Sequence, residues 1–163
     1  MRRRHLIILA IVILLLVAAA AFALEISLSA LPEPGSFETQ TATRAKHFLI
    51  ARASRSGIPA EPPTSEQSIA EGDKLYGAEC AMCHGLDAAT LTDTGRWMYP
   101  RAANLHSPEV QSYSNRELFW IIKNGIRLSG MPAFGKVESD EHIWNLVQYL
   151  RTLSPLGNNA NAR

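Results

Sequence analysis

Five consecutive residues, Cys80-Ala81-Met82-Cys83-His84, restrict this chain more than any other feature. They hold the only two cysteines of the 163 residues, so the disulfide framework that staples many small secreted domains is not available. The spacing C-x-x-C-H is the signature of covalent haem attachment. At a helix end, two thiols three residues apart can reach the two vinyl groups on one porphyrin edge, and the next residue projects under the iron. A tetrahedral zinc site fits less well, because it needs four ligands and no second cysteine pair exists. A thioredoxin-like redox pair would require a neighbouring βαβ pattern, and no strand alternation of useful length occurs. A covalent cofactor also explains how a short helical domain acquires enough core.

The first segment gives an address. Arg2, Arg3 and Arg4 precede an uncharged apolar run from Leu6 to Leu24, whose roughly 19 residues span about 28 Å as a helix, close to a bilayer core. No lysine or arginine follows until Arg44, so the positive-inside bias keeps Met1 cytoplasmic and exports the remainder. Residues 1–24 are therefore expected to be a transmembrane anchor. The competing reading is a cleaved signal peptide, since Ala21-Phe22-Ala23 resembles a small-residue cleavage site. The net charge is +1 and no basic stripe is interleaved with aromatics, so nucleic-acid binding is set aside.

From Glu25 to Pro63 the composition turns to Pro, Ser, Thr, Gly and Ala, with breakers at 31–35 and 58–63, which reads as a periplasmic linker. Within it, 41–55 suits a short basic helix, either resting on anionic headgroups or packed on the following domain. A domain over 64–156 follows. Thr64 with Gln67 resembles a capping box, after which Ile69, Gly72, Tyr76, Cys80 and Cys83 recur along one helical face. Ser114 with Glu117 opens a second helix that stops at Gly125. A third starts near Ser139, carries Ile143, Leu146, Val147, Leu150 and Leu153 inward, and ends at Ser154-Pro155. The tail 157–163 is expected to be disordered.

A sixth iron ligand must come from a loop folding over the opposite haem face. Met131 is the best candidate: Ser129-Gly130 precedes it and Pro132 stiffens the turn. Its thioether favours ferrous iron and raises the reduction potential. Met98 and then His106 are the rivals, whereas Met82 is confined within the attachment motif.

With these residues in place, Ile69 to Leu153 resembles the class I cytochromes c, particularly the short bacterial monohaem forms. The resemblance is carried by Leu75 to Gly85, by Asn124-Gly125-Ile126 with Gly130-Met131-Pro132-Ala133-Phe134-Gly135, and by Ile143 to Leu150. It implies an all-α class I cytochrome c fold, with about three to five helices around one covalent haem c, behind a single transmembrane helix. It also implies that Gly72 and Tyr76 on the first helix meet Leu146 and Tyr149 on the last, a structural role. A proline carbonyl, matched by Pro100, would face the ring N–H of the ligand histidine. Arg96, Trp97, Tyr99 and Arg101 could contact the propionates, or be solvated loop residues. The loop 86–99 has no family template.

The expected site is thus Cys80, Cys83, His84, Met131, Pro100, Arg101 and Tyr99, with His84 and Met131 on the iron. A six-coordinate iron leaves no position for substrate, so the expected function is electron transfer rather than catalysis. The membrane would be one partner, and respiratory redox proteins, a donor and an acceptor, the others. The site of action would be the periplasmic face of a bacterial inner membrane. Two alternatives stay open: a haem sensor or enzyme with a labile sixth ligand, and a fixed cytochrome subunit of a respiratory complex. From Ser65 to Pro155 acidic side chains outnumber basic ones by eleven to eight, so a basic partner patch could steer association. Lys123, Arg127 and Lys136 are more simply read as solvated than as a docking edge.

Overall fold

The computed structural model describes residues 2–25 and 29–153, and its contacts separate two units, residues up to Glu33 and those from Pro34 onward. The first holds helix α1, Arg2–Glu25. Its stretch Arg3–Ala20 has a mean hydropathy of 2.2 and no buried residue, so α1 is long and apolar enough to cross a membrane. A signal sequence meets the same test.

The second unit is all-helical, with no strand among the described residues. Its elements are α2 (Ser36–Ala53), α3 (Glu66–Leu75), α4 (Ala81–His84), α5 (Asp93–Trp97), α6 (Pro108–Gln111), α7 (Asn115–Asn124) and α8 (Asp140–Thr152). Short hydroxyl side chains set most of the helix starts. Ser114 and Glu117 form the expected capping box, Ser139 caps α8, and Gly125 ends α7 with φ 65°. The cap of α3 differs from expectation by one residue. Ser65, not Thr64, takes the extended conformation and exchanges hydrogen bonds with Ser68 rather than with Gln67. Tertiary contact decides this, because the Ser68 hydroxyl also donates to Gln148 Oε1 on α8.

Helix α3 does not run regularly into the cysteines. Tyr76–Cys80 forms one widened turn, in which the Ala81 N–H reaches back to the Tyr76 carbonyl. This single extra residue re-phases the chain, so the regular stripe expected through Cys83 is broken after Tyr76.

The core forms where α3 crosses α8. Tyr76, Phe119, Ile143, Leu146 and Val147 are fully buried; Tyr76 and Tyr149 lie ring to ring at 5.3 Å. A methyl group on Gly72 would overlap the Asn145 carbonyl, so the expected close crossing of these helices is present. Arg151 fastens α8 to α6 and α7 through Gln111 O at 3.1 Å and Asn115 Oδ1 at 2.6 Å.

The segment read as a linker is partly built into the domain. Helix α2 begins at Ser36 and ends at Ala53, longer than the expected 41–55, and the compact unit starts at Pro34 rather than near 64. Ile50 is buried against the core, a contribution of about 2 kcal/mol. His47 stacks on Tyr113 at 4.2 Å, Lys46 pairs with Glu109 at 3.0 Å, and Arg116 donates to the Ser54 carbonyl at 3.1 Å. The prolines and glycines obscured this in the sequence, because the apolar stripe reduces to one large residue. The tail 157–163 and the stop at Ser154-Pro155 lie outside the described residues.

Candidate functional site

The widened turn ends at Cys80, and helix α4 directly after it carries Cys83 and His84. Both cysteines are free and half-buried. Burial, with the Glu79 carboxylate behind it, pushes the Cys80 thiol up to about 12, so it stays protonated. The residue following His84 is pinned from below: the buried Tyr76 hydroxyl donates to the Gly85 carbonyl at 2.6 Å.

His84 is oriented by one hydrogen bond. Its Nδ1–H donates to the Ala103 carbonyl at 2.8 Å, which leaves the Nε2 lone pair for a metal. Burial holds the imidazole below its ordinary pKa, with the Ala103 bond acting in the opposite sense; the ring is neutral. The carbonyl at this position belongs to Ala103 and not to the expected Pro100, which is exposed beyond a cis peptide at Tyr99. A backbone acceptor carries no side-chain signature, so the sequence offered nothing to separate neighbouring carbonyls.

The untemplated loop 86–99 lies on the back of the motif. Thr92 caps α5 through the Gly95 N–H at 3.2 Å and donates its hydroxyl to the Met82 carbonyl at 2.6 Å. Any side chain at Gly95 would overlap the Cys83 carbonyl. Neither residue was singled out from sequence, although Thr92-Asp93 is a legible helix start.

The methionine loop is drawn tight by short-range bonds. Ile126 N–H donates to the Met131 carbonyl at 3.3 Å, Met131 N–H donates to Ser129 Oγ at 3.2 Å, and the Met131 side chain packs half-buried on the core. Met98 comes to the same loop: a Cβ on Gly130 would lie 2.5 Å from its sulfur. The Met98 sulfur therefore lies beside the residue that precedes Met131. His106 is engaged elsewhere, donating from Nε2 to the Asp87 carbonyl at 3.0 Å. Of the residues expected near propionates, Arg96 pairs with Asp93 at 2.7 Å and Tyr99 donates to Glu38 at 2.7 Å. Arg101 and Trp97 are exposed.

Two thiols, an imidazole with one free nitrogen and a thioether in a glycine-bounded loop are a donor set that fits covalent haem. Large apolar side chains left exposed fall in the same segments: Met82, Leu86, Trp97 and Leu128. No group of three or more His, Cys, Asp or Glu among the described residues is disposed to hold a metal ion.

The all-helical domain and this donor set define a c-type cytochrome. Residues 67–150 match the family described as cytochrome C oxidase, cbb3-type, subunit III, and the chain belongs to that family. Membership brings haem c, covalently bound, and haem-based electron transfer. A comparison with curated proteins returns no match. Among solved structures, the fold is similar to a chain of the Kuenenia stuttgartiensis reducing HAO-like protein complex. That likeness has a TM-score of 0.56 and 20% identity, covering 61% of this chain and 49% of the other. The chain thus spans about half the length of that relative, and the likeness concerns the fold.

Proposed function

We propose that the chain is a membrane-tethered electron carrier whose domain works on the periplasmic side of a bacterial inner membrane. Haem supplies a one-electron ferric/ferrous couple when bound. In this reading Cys80 and Cys83 would hold it by thioethers, and His84 Nε2 and Met131 Sδ would be the side-chain donors to its iron. The hydrogen bond from His84 Nδ1 to Ala103 carries the proposal, because it selects the tautomer and keeps the imidazole basic toward iron. Anchoring and sidedness are supported by the apolar run behind Arg2, Arg3 and Arg4. The tether would raise the domain's effective concentration near respiratory donors and acceptors.

Oxidised and reduced visible spectra of protein purified from membranes test this. A low-spin covalent c-type haem with the weak far-red band of methionine-ligated ferric iron is expected, and the band should vanish in Met131→Ala. A high-spin haem that binds CO readily would replace this reading with a sensor or enzyme. The match to an oxidase subunit family favours a second possibility, a fixed subunit of a respiratory complex. Stoichiometric co-purification with other chains in mild detergent would select it, and release of this chain alone would select the carrier.

A further inference from the structure

We propose that the outward face of α2 rests on anionic lipid headgroups and so orients the haem domain on the membrane; this rests on the export reading above. The structure divides α2 into two opposed faces. Thr43, Lys46, His47, Ile50 and the following Ser54 fall on the side turned to the domain, where Ile50 and Ser54 are buried. At about 100° per residue, Phe37, Arg44, Phe48 and Arg52 fall on the other side within an arc of roughly 80°. Phe37 is 75% exposed and Phe48 67%, with Leu49 beside them at 60%.

The charges are sorted in the same way. Lys46 turns to Glu109 and Glu38 to Tyr99, so the helix's one acidic side chain is engaged by the domain. Arg44 and Arg52 make no ion pair among the described residues. What remains outside is two aromatic rings and a leucine interleaved with arginines.

Such a face needs an occupant that accepts apolar rings and bears negative charge at the same level, as an anionic bilayer interface does. A second copy of the face would set arginine against arginine. Ten residues, 26–35, separate α1 from α2, and fully extended they reach at most about 35 Å. A connection of that length only bounds how far the domain can stray from a membrane that holds the chain.

The test uses full-length, haem-loaded protein carrying the photo-crosslinking residue benzoylphenylalanine in place of Phe48. It is reconstituted either in phosphatidylcholine or in equal parts phosphatidylcholine and phosphatidylglycerol. Lipid adducts are expected in the mixed membrane. They should fall roughly twenty-five-fold on combining Arg44→Gln with Arg52→Gln, since each basic residue near an anionic surface strengthens binding fivefold. An unchanged visible spectrum verifies that both variants fold. An adduct to another polypeptide, or no adduct, overturns the proposal. The intact mass keeps the two readings apart: if residues 1–24 have been removed, anchoring fails by itself. Co-sedimentation of the processed protein with the same vesicles then decides the role of α2, with equal recovery from both lipids overturning it.

Discussion

Gly72 and Asn145 touch backbone to backbone where α3 crosses α8. A Cβ on Gly72 would overlap the Asn145 carbonyl and stand 2.8 Å from Tyr149 Cβ. Neither obstacle is the end of a flexible side chain, so only separation of the helices could relieve the overlap. Gly72→Ala should cost about 3 kcal/mol, read as a lower denaturant midpoint at unchanged slope in the haem-loaded protein.

Two tyrosines should respond in opposite senses to the same change. Tyr76 donates to Gly85 in the core, so Tyr76→Phe orphans a buried carbonyl beside the haem motif and should destabilise by about 1–3 kcal/mol. The Tyr113 hydroxyl is buried with no hydrogen-bond partner among the described residues, and burial pushes its pKa up to about 12. Tyr113→Phe keeps the stack on His47 and should be neutral or stabilising by up to about 1 kcal/mol. Paired thermal and denaturant unfolding measures both.

The methionine loop offers a test of which sulfur reaches iron. Gly125 has φ 65°, and a Cβ there would stand 2.7 Å from the Met131 carbonyl and from Pro132 backbone atoms. Gly125→Ala should therefore displace Met131 and weaken the far-red band. The three atoms nearest a Cβ on Gly130 all belong to the Met98 side chain, which can move, so Gly130→Ala should keep the band. Loss of the band in Gly130→Ala alone would assign the ligand to Met98.

Acid stability should depend on Asp87, although its side chain is at the surface. Its carboxylate accepts the Thr90 N–H at 2.7 Å, the Ala89 N–H at 3.0 Å and the Thr90 hydroxyl at 2.7 Å. These bonds, the Thr90 N–H foremost, hold its pKa at about 2 against an ordinary 3.8. Because the folded value is the lower one, the stabilisation is complete above the ordinary value and is lost as pH falls toward 2. Asp87→Asn should flatten the unfolding midpoint across that window, and an unaltered slope with pH would refute the assignment.

Cofactor chemistry, the helical class and the helix ends set by local side chains were all legible in the amino-acid order. A motif of five adjacent residues needs no partner from elsewhere in the chain. Likewise the box at Ser114, the cap at Ser139, the stop at Gly125 and the apolar stripe of α8 are written within a turn or two of where they act. The folded chain alone sets which carbonyl faces His84, because acceptors on the backbone are chemically alike. It also decided where α3 begins, through Ser68 and Gln148, and brought Met98 against Gly130 from a loop some thirty residues away. The incorporation of α2 belongs to the same class, since its hold on the domain depends on Tyr113, Glu109 and Arg116. Those partners lie far along the chain, and a helix with one buried isoleucine gives no periodic signal that they exist.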